Sequence, residues 1–155
     1  MHAHGLEPQV IPGRYTLDGG SKGAKDALAK HPRPTAIFAA NDLAAIGVLN
    51  TVLGAGLKVP EDIALVGYDD MPFAASETLS LTTMHQPIDR MATQCIDCLI
   101  ARIQDPDGPG TRVLLSPHLV TRRSTLGSKF DPEATRERQS EPARERRRRA
   151  ERVAK

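Results

Sequence analysis

Tryptophan is missing from this chain, and aromatic residues make up only 3% of its 155 residues. Each aromatic ring therefore counts in packing. There are two cysteines, Cys95 and Cys98, too few and too close together for a disulfide framework. Their C-x-x-C spacing is that of half a zinc or redox site. A structural zinc needs about four ligands, and no second pair follows, so no metal is expected. No stretch approaches the roughly 18 consecutive apolar residues of a membrane span. The N-terminus MHAHGLEPQV has no basic segment followed by an apolar core, so a secretory signal is not expected and a cytoplasmic location is. No internal repeat is visible.

Charge is unevenly placed. Residues 129–155 carry ten of the 21 basic residues and six of the 19 acidic ones, including the block Arg146–Arg149. The preceding body is near neutral and offers no basic surface for nucleic acid. The tail has the composition of a disordered or solvated segment, and it lacks the apolar residues that would pack a helix-turn-helix. Residues 1–126 read as one partial domain and 127–155 as a charged tail.

The body alternates strand and helix signals. Val10-Ile11 reads as a short strand and Asp18-Gly19-Gly20 as a turn. A helix follows from Ser21 to Lys30, ended by Pro32 and Pro34. The run Ala36–Ala40 is continuously apolar, as in a parallel strand covered on both faces. Asn41 or Asp42 then caps a helix running to about Ala55, with Gly56 as its stop. That helix is apolar over a broad surface, enough for a sheet contact and a second one. Ile63–Gly67 is a second buried-type strand, ended by Tyr68-Asp69-Asp70. Leu81–His85 is a third, rich in threonine. Pro87 opens an amphipathic helix with Ile88, Met91, Ala92, Cys95, Leu99 and Ile103 at spacings of three and four. Two short strands, Val113–Leu115 and His118–Thr121, complete the body.

Polar residues at the strand ends are the candidate chemistry, because the carboxyl ends of strands in an open α/β sheet are where small ligands sit. The Asn41 amide can donate and accept at once, which suits sugar hydroxyls; equally, it can simply cap the helix. Asp69 can accept from two adjacent hydroxyls, or Asp69-Asp70 can be turn residues. Tyr15 offers an aromatic face to a ring, or packs at the rim. Acid–base catalysis by Asp69 and Asp70 lacks a nucleophile or third partner close in sequence.

The segments AIFAANDLAAIG, GLKVPEDIALVGYDD and LTTMHQP resemble, in order and spacing, the effector domain of the lactose-repressor (LacI/GalR) family of transcription regulators. RYTLDGG before them and VLLSPHLVTRRST after them extend the likeness over residues 5–125. The resemblance implies an α/β, mostly parallel three-layer sheet of the periplasmic-binding-protein-like type. In the family, two such lobes enclose a ligand. The family's effector contacts map onto Tyr15 as the stacking aromatic, Asn41 as the amide and Asp69 as the carboxylate. Gln86 falls at a hinge crossover. Ile46, Asn50, Phe73 and Glu77 fall where family members form their dimer contact.

The departures are as informative. By the resemblance, the family's DNA-binding headpiece and nearly all of its first lobe are expected to have no counterpart among these segments. Ser80 stands where proline is common. The resemblance therefore implies the second lobe of a truncated regulator, plus one crossover helix whose apolar stripe lacks its usual cover. It would sense a sugar or similar small effector, form a homodimer, use no cofactor, and reach operator DNA only through a headpiece not present here. A fragment of a transport-type sugar-binding protein, an enzyme using Asp69 and Asp70, and a ligand-free dimerisation module are the alternatives.

Overall fold

The computed structural model describes residues 5, 7–31 and 33–133. His2, His4 and the Arg146–Arg149 block lie outside them. Among the described residues, four strands form one sheet in the order β1 (Ala36–Phe38), β2 (Ala64–Asp69), β3 (Thr82–His85), β4 (His118–Val120). The first three run parallel and β4 is antiparallel to β3. Helices α1 (Leu17–Leu28), α2 (Asp42–Gly54), α3 (Ile88–Gln104) and α4 (Arg123–Leu126) complete the fold. This is the incomplete, mostly parallel α/β sheet expected from the sequence.

Helix α2 is bounded by the signals read in the sequence. Asn41 is its N-cap, with Oδ1 accepting from the Ala44 amide at 2.8 Å. At the other end the Leu57 amide donates to the Val52 carbonyl and the Gly56 amide to that of Leu53. Gly56 sits at φ 76°. This is a Schellman stop, in which glycine tolerates the left-handed residue.

Helix α1 corrects the sequence reading. It begins at Leu17, capped by Thr16, whose hydroxyl accepts from the Gly19 amide. Asp18-Gly19-Gly20 is thus the first turn of a helix and not a loop. The glycines serve packing. A Cβ on Gly20 would overlap the backbone carbonyl of Ala44, and one on Gly47 would overlap that of Leu17. The two helices cross almost backbone to backbone. Hydroxyls exploit the closeness: Ser21 donates to the Gly47 carbonyl at 3.2 Å, and Thr51 to that of Ser21 at 3.4 Å.

Two short strands are absent. Residues 7–14 and 111–117 are irregular, so neither Val10-Ile11 nor Val113–Leu115 pairs into the sheet. Val10 is largely solvent-exposed, and its apolar side chain was the whole of its signal.

Side chains alternate across the sheet. On β2, Leu65 and Gly67 are buried while Ala64, Val66 and Tyr68 are half-buried. The buried face packs on α2, joining Leu65, Ile63 and Leu81 to Ala45, Val48 and Val52. The opposite face is thinly covered: Phe38 is 63% exposed and Leu119 53%. Helix α3 stands on that side and buries none of its residues. Its apolar residues Ile88, Met91, Leu99 and Ile103 are all exposed. An open groove of about 430 Å³ runs between Tyr68, Gln86, Met91, Cys95, Cys98 and Leu114.

Ser80 has φ 39°. Proline, fixed near −65°, could not adopt this conformation. Ser80 accepts the Arg123 amide on its hydroxyl and the Ser124 amide on its carbonyl, joining the loop before β3 to α4.

Candidate functional site

The parallel strands end at one rim, and the sequence-derived residues gather there. Strands β1 and β2 are neighbours, with Phe38 opposite Val66. Asn41 lies three residues beyond the first of these and Asp69 three beyond the second. Gln86 follows the end of β3, whose His85 pairs with Asp69. Tyr15 reaches the rim from the loop before α1, exposed to solvent.

Two pairs form. The Asn41 amide Nδ2 donates to the Tyr15 carbonyl at 3.3 Å, while its Oδ1 caps α2. Asn41 therefore performs the capping role, and this fixes its side chain at the rim. The Gln86 amide Nε2 donates to Asp69 Oδ1 at 2.7 Å. Among the described residues, Asp69 Oδ2 receives no protein donor.

Asp70 is held differently. Its carboxylate takes the Arg122 guanidinium at 2.7 Å on Oδ1 and His85 Nδ1 at 2.9 Å on Oδ2. Arg122 also donates to the Leu81 carbonyl at 2.7 Å. The His85 and His118 rings lie 4.7 Å apart. Both Asp70 oxygens are thus engaged, and the carboxylate works as a tie between β2, β3 and the start of α4.

The sequence reading missed a third carboxylate. Asp42 is fully buried at the start of α2. Thr83 donates its hydroxyl to Asp42 Oδ1 at 2.6 Å, and the Met71 amide donates to Oδ2 at 2.8 Å. Asp42 had entered only as an alternative cap, and the threonines of β3 only as strand formers. The weak signal was a carboxylate in an otherwise apolar first turn, on a helix broadly apolar elsewhere.

Burial raises the Asp42 carboxyl above the usual aspartate value, and the negative charges of Asp69 and Asp70 push the same way. The bonds from Thr83 and Met71 oppose the shift without cancelling it. A raised value means that the folded chain holds this proton more tightly than the unfolded chain. The stabilisation is complete below the unfolded value, about 3.9, and is lost as pH rises through the folded one. The unfolding free energy of the wild-type chain should therefore fall relative to Asp42→Asn as pH rises from about 4. Urea midpoints measured across that window check this, and a difference flat in pH would refute it.

The residues mapped to a dimer contact lie elsewhere. Ile46 is half-buried and Asn50 exposed on α2. Leu43 and Leu53, 42% and 52% exposed, share the outward side of that helix by their spacing. Phe73 and Glu77 lie in the turn after β2, the first half-buried and the second exposed. Among the described residues no group of three or more His, Cys, Asp or Glu side chains could hold a metal ion. No described helix is long and apolar enough to cross a membrane.

The profile of the periplasmic binding protein-like domain matches residues 1–125. The chain belongs to this family. Within it, the chain is similar to lactose-repressor-type regulators. It is 40% identical to the ribose operon repressor of Escherichia coli (strain K12) over 114 residues, 74% of this chain and 34% of that protein. Two solved structures superpose well. A complex of the transcriptional regulator CelR with cellobiose gives a TM-score of 0.74 at 33% identity, over 79% of this chain and 38% of that one. A LacI family regulator from Enterococcus faecalis V583 with bound ribose gives 0.71 at 28% identity, over 80% and 46%. The chain thus spans about a third of the length of the curated relative.

Proposed function

We propose that this periplasmic binding protein-like segment is the effector-sensing part of a sugar-responsive transcription regulator. It binds and does not catalyse. Asp69 accepts hydroxyls of the sugar through its free oxygen, and Gln86 fixes the carboxylate's orientation from the crossover. Asn41 uses its remaining hydrogen-bonding capacity on a further hydroxyl, and the exposed Tyr15 ring lies against the sugar's apolar face. The observation carrying this reading is the half-satisfied Asp69 carboxylate, set beside the Asn41–Asp42 corner at the rim of the parallel strands. Support also comes from relatives solved with ribose and cellobiose.

The rest of the regulator's action is part of the same proposal. The outward side of α2, with Ile46 and Asn50, and the turn bearing Phe73 and Glu77 pair two copies. Operator DNA is contacted by other parts of the regulator, in the cytoplasm. A sugar that prefers one lobe arrangement shifts the balance between arrangements, and so DNA affinity.

Calorimetric titration with D-ribose and with cellobiose, at millimolar chain concentration, tests the reading. A hydrogen bond to a charged group contributes roughly 1.5–3 kcal/mol, so Asp69→Ala should weaken binding at least tenfold. Equal binding by the wild type and the variant would overturn it.

A further inference from the structure

The exit from β2 is an improbable piece of backbone. Asp69 has φ 117° and Asp70 φ 57°, two consecutive non-glycine residues in the positive region. Such conformations are strained for residues other than glycine and persist only where their surroundings over-determine them. Here the surroundings are specific. Thr83 Oγ1 accepts the Asp70 amide at 3.3 Å, and Asp42 Oδ2 accepts the Met71 amide at 2.8 Å. These are successive amides of the turn that carries Asp69. The two acceptors are themselves joined by the 2.6 Å bond from Thr83 to Asp42.

The clamp is buried. Asp42 and Thr83 are both fully buried, one at the start of α2 and the other on β3. Gly67, on β2, leaves room for it: a Cβ there would overlap Asp42 Oδ1. Placing an ionisable carboxylate where burial disfavours its charge is costly. An asparagine would offer one acceptor oxygen in place of two. A carboxylate accepts from both sides at once, from a strand hydroxyl and a turn amide.

We propose that Asp42, acting with Thr83, is a positioning residue for ligand binding: it fixes the Asp69–Asp70 turn so that the Asp69 carboxylate faces the rim. Neither residue touches the ligand. The inference rests on the reading of Asp69 as the ligand carboxylate, but the state of the turn can be measured without any ligand.

Thr83→Val removes the hydroxyl at nearly constant volume, and Thr83→Ser keeps it. Both are compared with the wild-type chain and with Asp42→Ala. Amide hydrogen exchange at Asp70 and Met71 is followed without ligand, and D-ribose is then titrated. Thr83→Val should lose at least tenfold in protection at those two amides while the Gly67 and Met84 amides keep theirs. Its affinity for D-ribose should fall at least tenfold, and Thr83→Ser should restore both properties. Asp42→Ala should behave as Thr83→Val or fail to fold, in which case the threonine pair decides. Unchanged protection at Asp70 and Met71 in Thr83→Val overturns the proposal. So does lost protection with unchanged ribose affinity. If the wild-type chain binds no ribose, the Asp69 reading fails; the exchange result then decides whether the clamp holds the turn.

Discussion

Gly20→Ala is expected to destabilise the chain by about 3 kcal/mol or more, at the upper end for overpacking a core. Ordinarily alanine is the better helix residue by up to about 1 kcal/mol, so propensity alone predicts the opposite sign. The steric term wins because the atom a new Cβ would meet is the carbonyl of Ala44. Backbone cannot rotate away as a side-chain tip could. Relief requires α1 to lift from α2, which would strain the Ser21–Gly47 and Thr51–Ser21 bonds and open the core around Ala24 and Ala45. Gly54→Ala is the matched control. Gly54 ends α2 with open space around its Cβ direction, so that change should be neutral or stabilising by up to about 1 kcal/mol. Urea unfolding of both variants makes the comparison. Equal effects would mean that the helices are not in backbone contact.

Arg122→Met should be comparably damaging, at about 3 kcal/mol. Arg122 and Asp70 are 12% and 16% exposed at their side chains, so the pair is mostly out of water. Methionine keeps the packing of the aliphatic stem but leaves Asp70 with His85 as its remaining side-chain partner. It also leaves the Leu81 carbonyl without the guanidinium donor. Breaking one side of such a pair costs more than the pair contributes, because the abandoned charge stays buried. A second substitution, Asp70→Asn, should recover part of the loss. Midpoints for the two single variants and the double variant decide the matter, and strict additivity would contradict a direct coupling.

How much of this was legible in the sequence depends on the kind of signal. The existence of β2 and the α2 boundaries could be read because the apolar run, the Asn41 cap and the Gly56 stop are local chemistry, although β2 runs over Ala64–Asp69 and buries only one of its faces. The start of α1 could not. Glycine pairs announce turns when only neighbours in sequence are considered, whereas Gly20 answers to Ala44, 24 positions away. Val113–Leu115 had a strand's composition but lies along the α3 groove without a ladder partner, since β-propensity depends on what the strand packs against.

The same distinction runs through the site. As candidates, Asn41 and Asp69 could be named because each follows a strand-like apolar run, Tyr15 because aromatics are scarce, and Gln86 because the resemblance supplied its position. The bonds that join them in pairs were not visible. Asp42, Thr83 and Arg122 were missed because each acts through a partner at least 29 residues distant. A buried carboxylate beside an N-cap reads in sequence as one more capping residue. Only the two donors that converge on its oxygens, from Thr83 and Met71, distinguish it.

Amide spectra of the labelled chain, recorded as D-ribose is added, test the rim site most directly. Resonances of Tyr15, Asn41, Asp69, Asp70 and Gln86 should move together along one binding curve, and the Asp69→Ala chain should show no such curve. Movement confined to Met91, Cys98 and Leu114 along the α3 groove, or curves unaltered by Asp69→Ala, would contradict it.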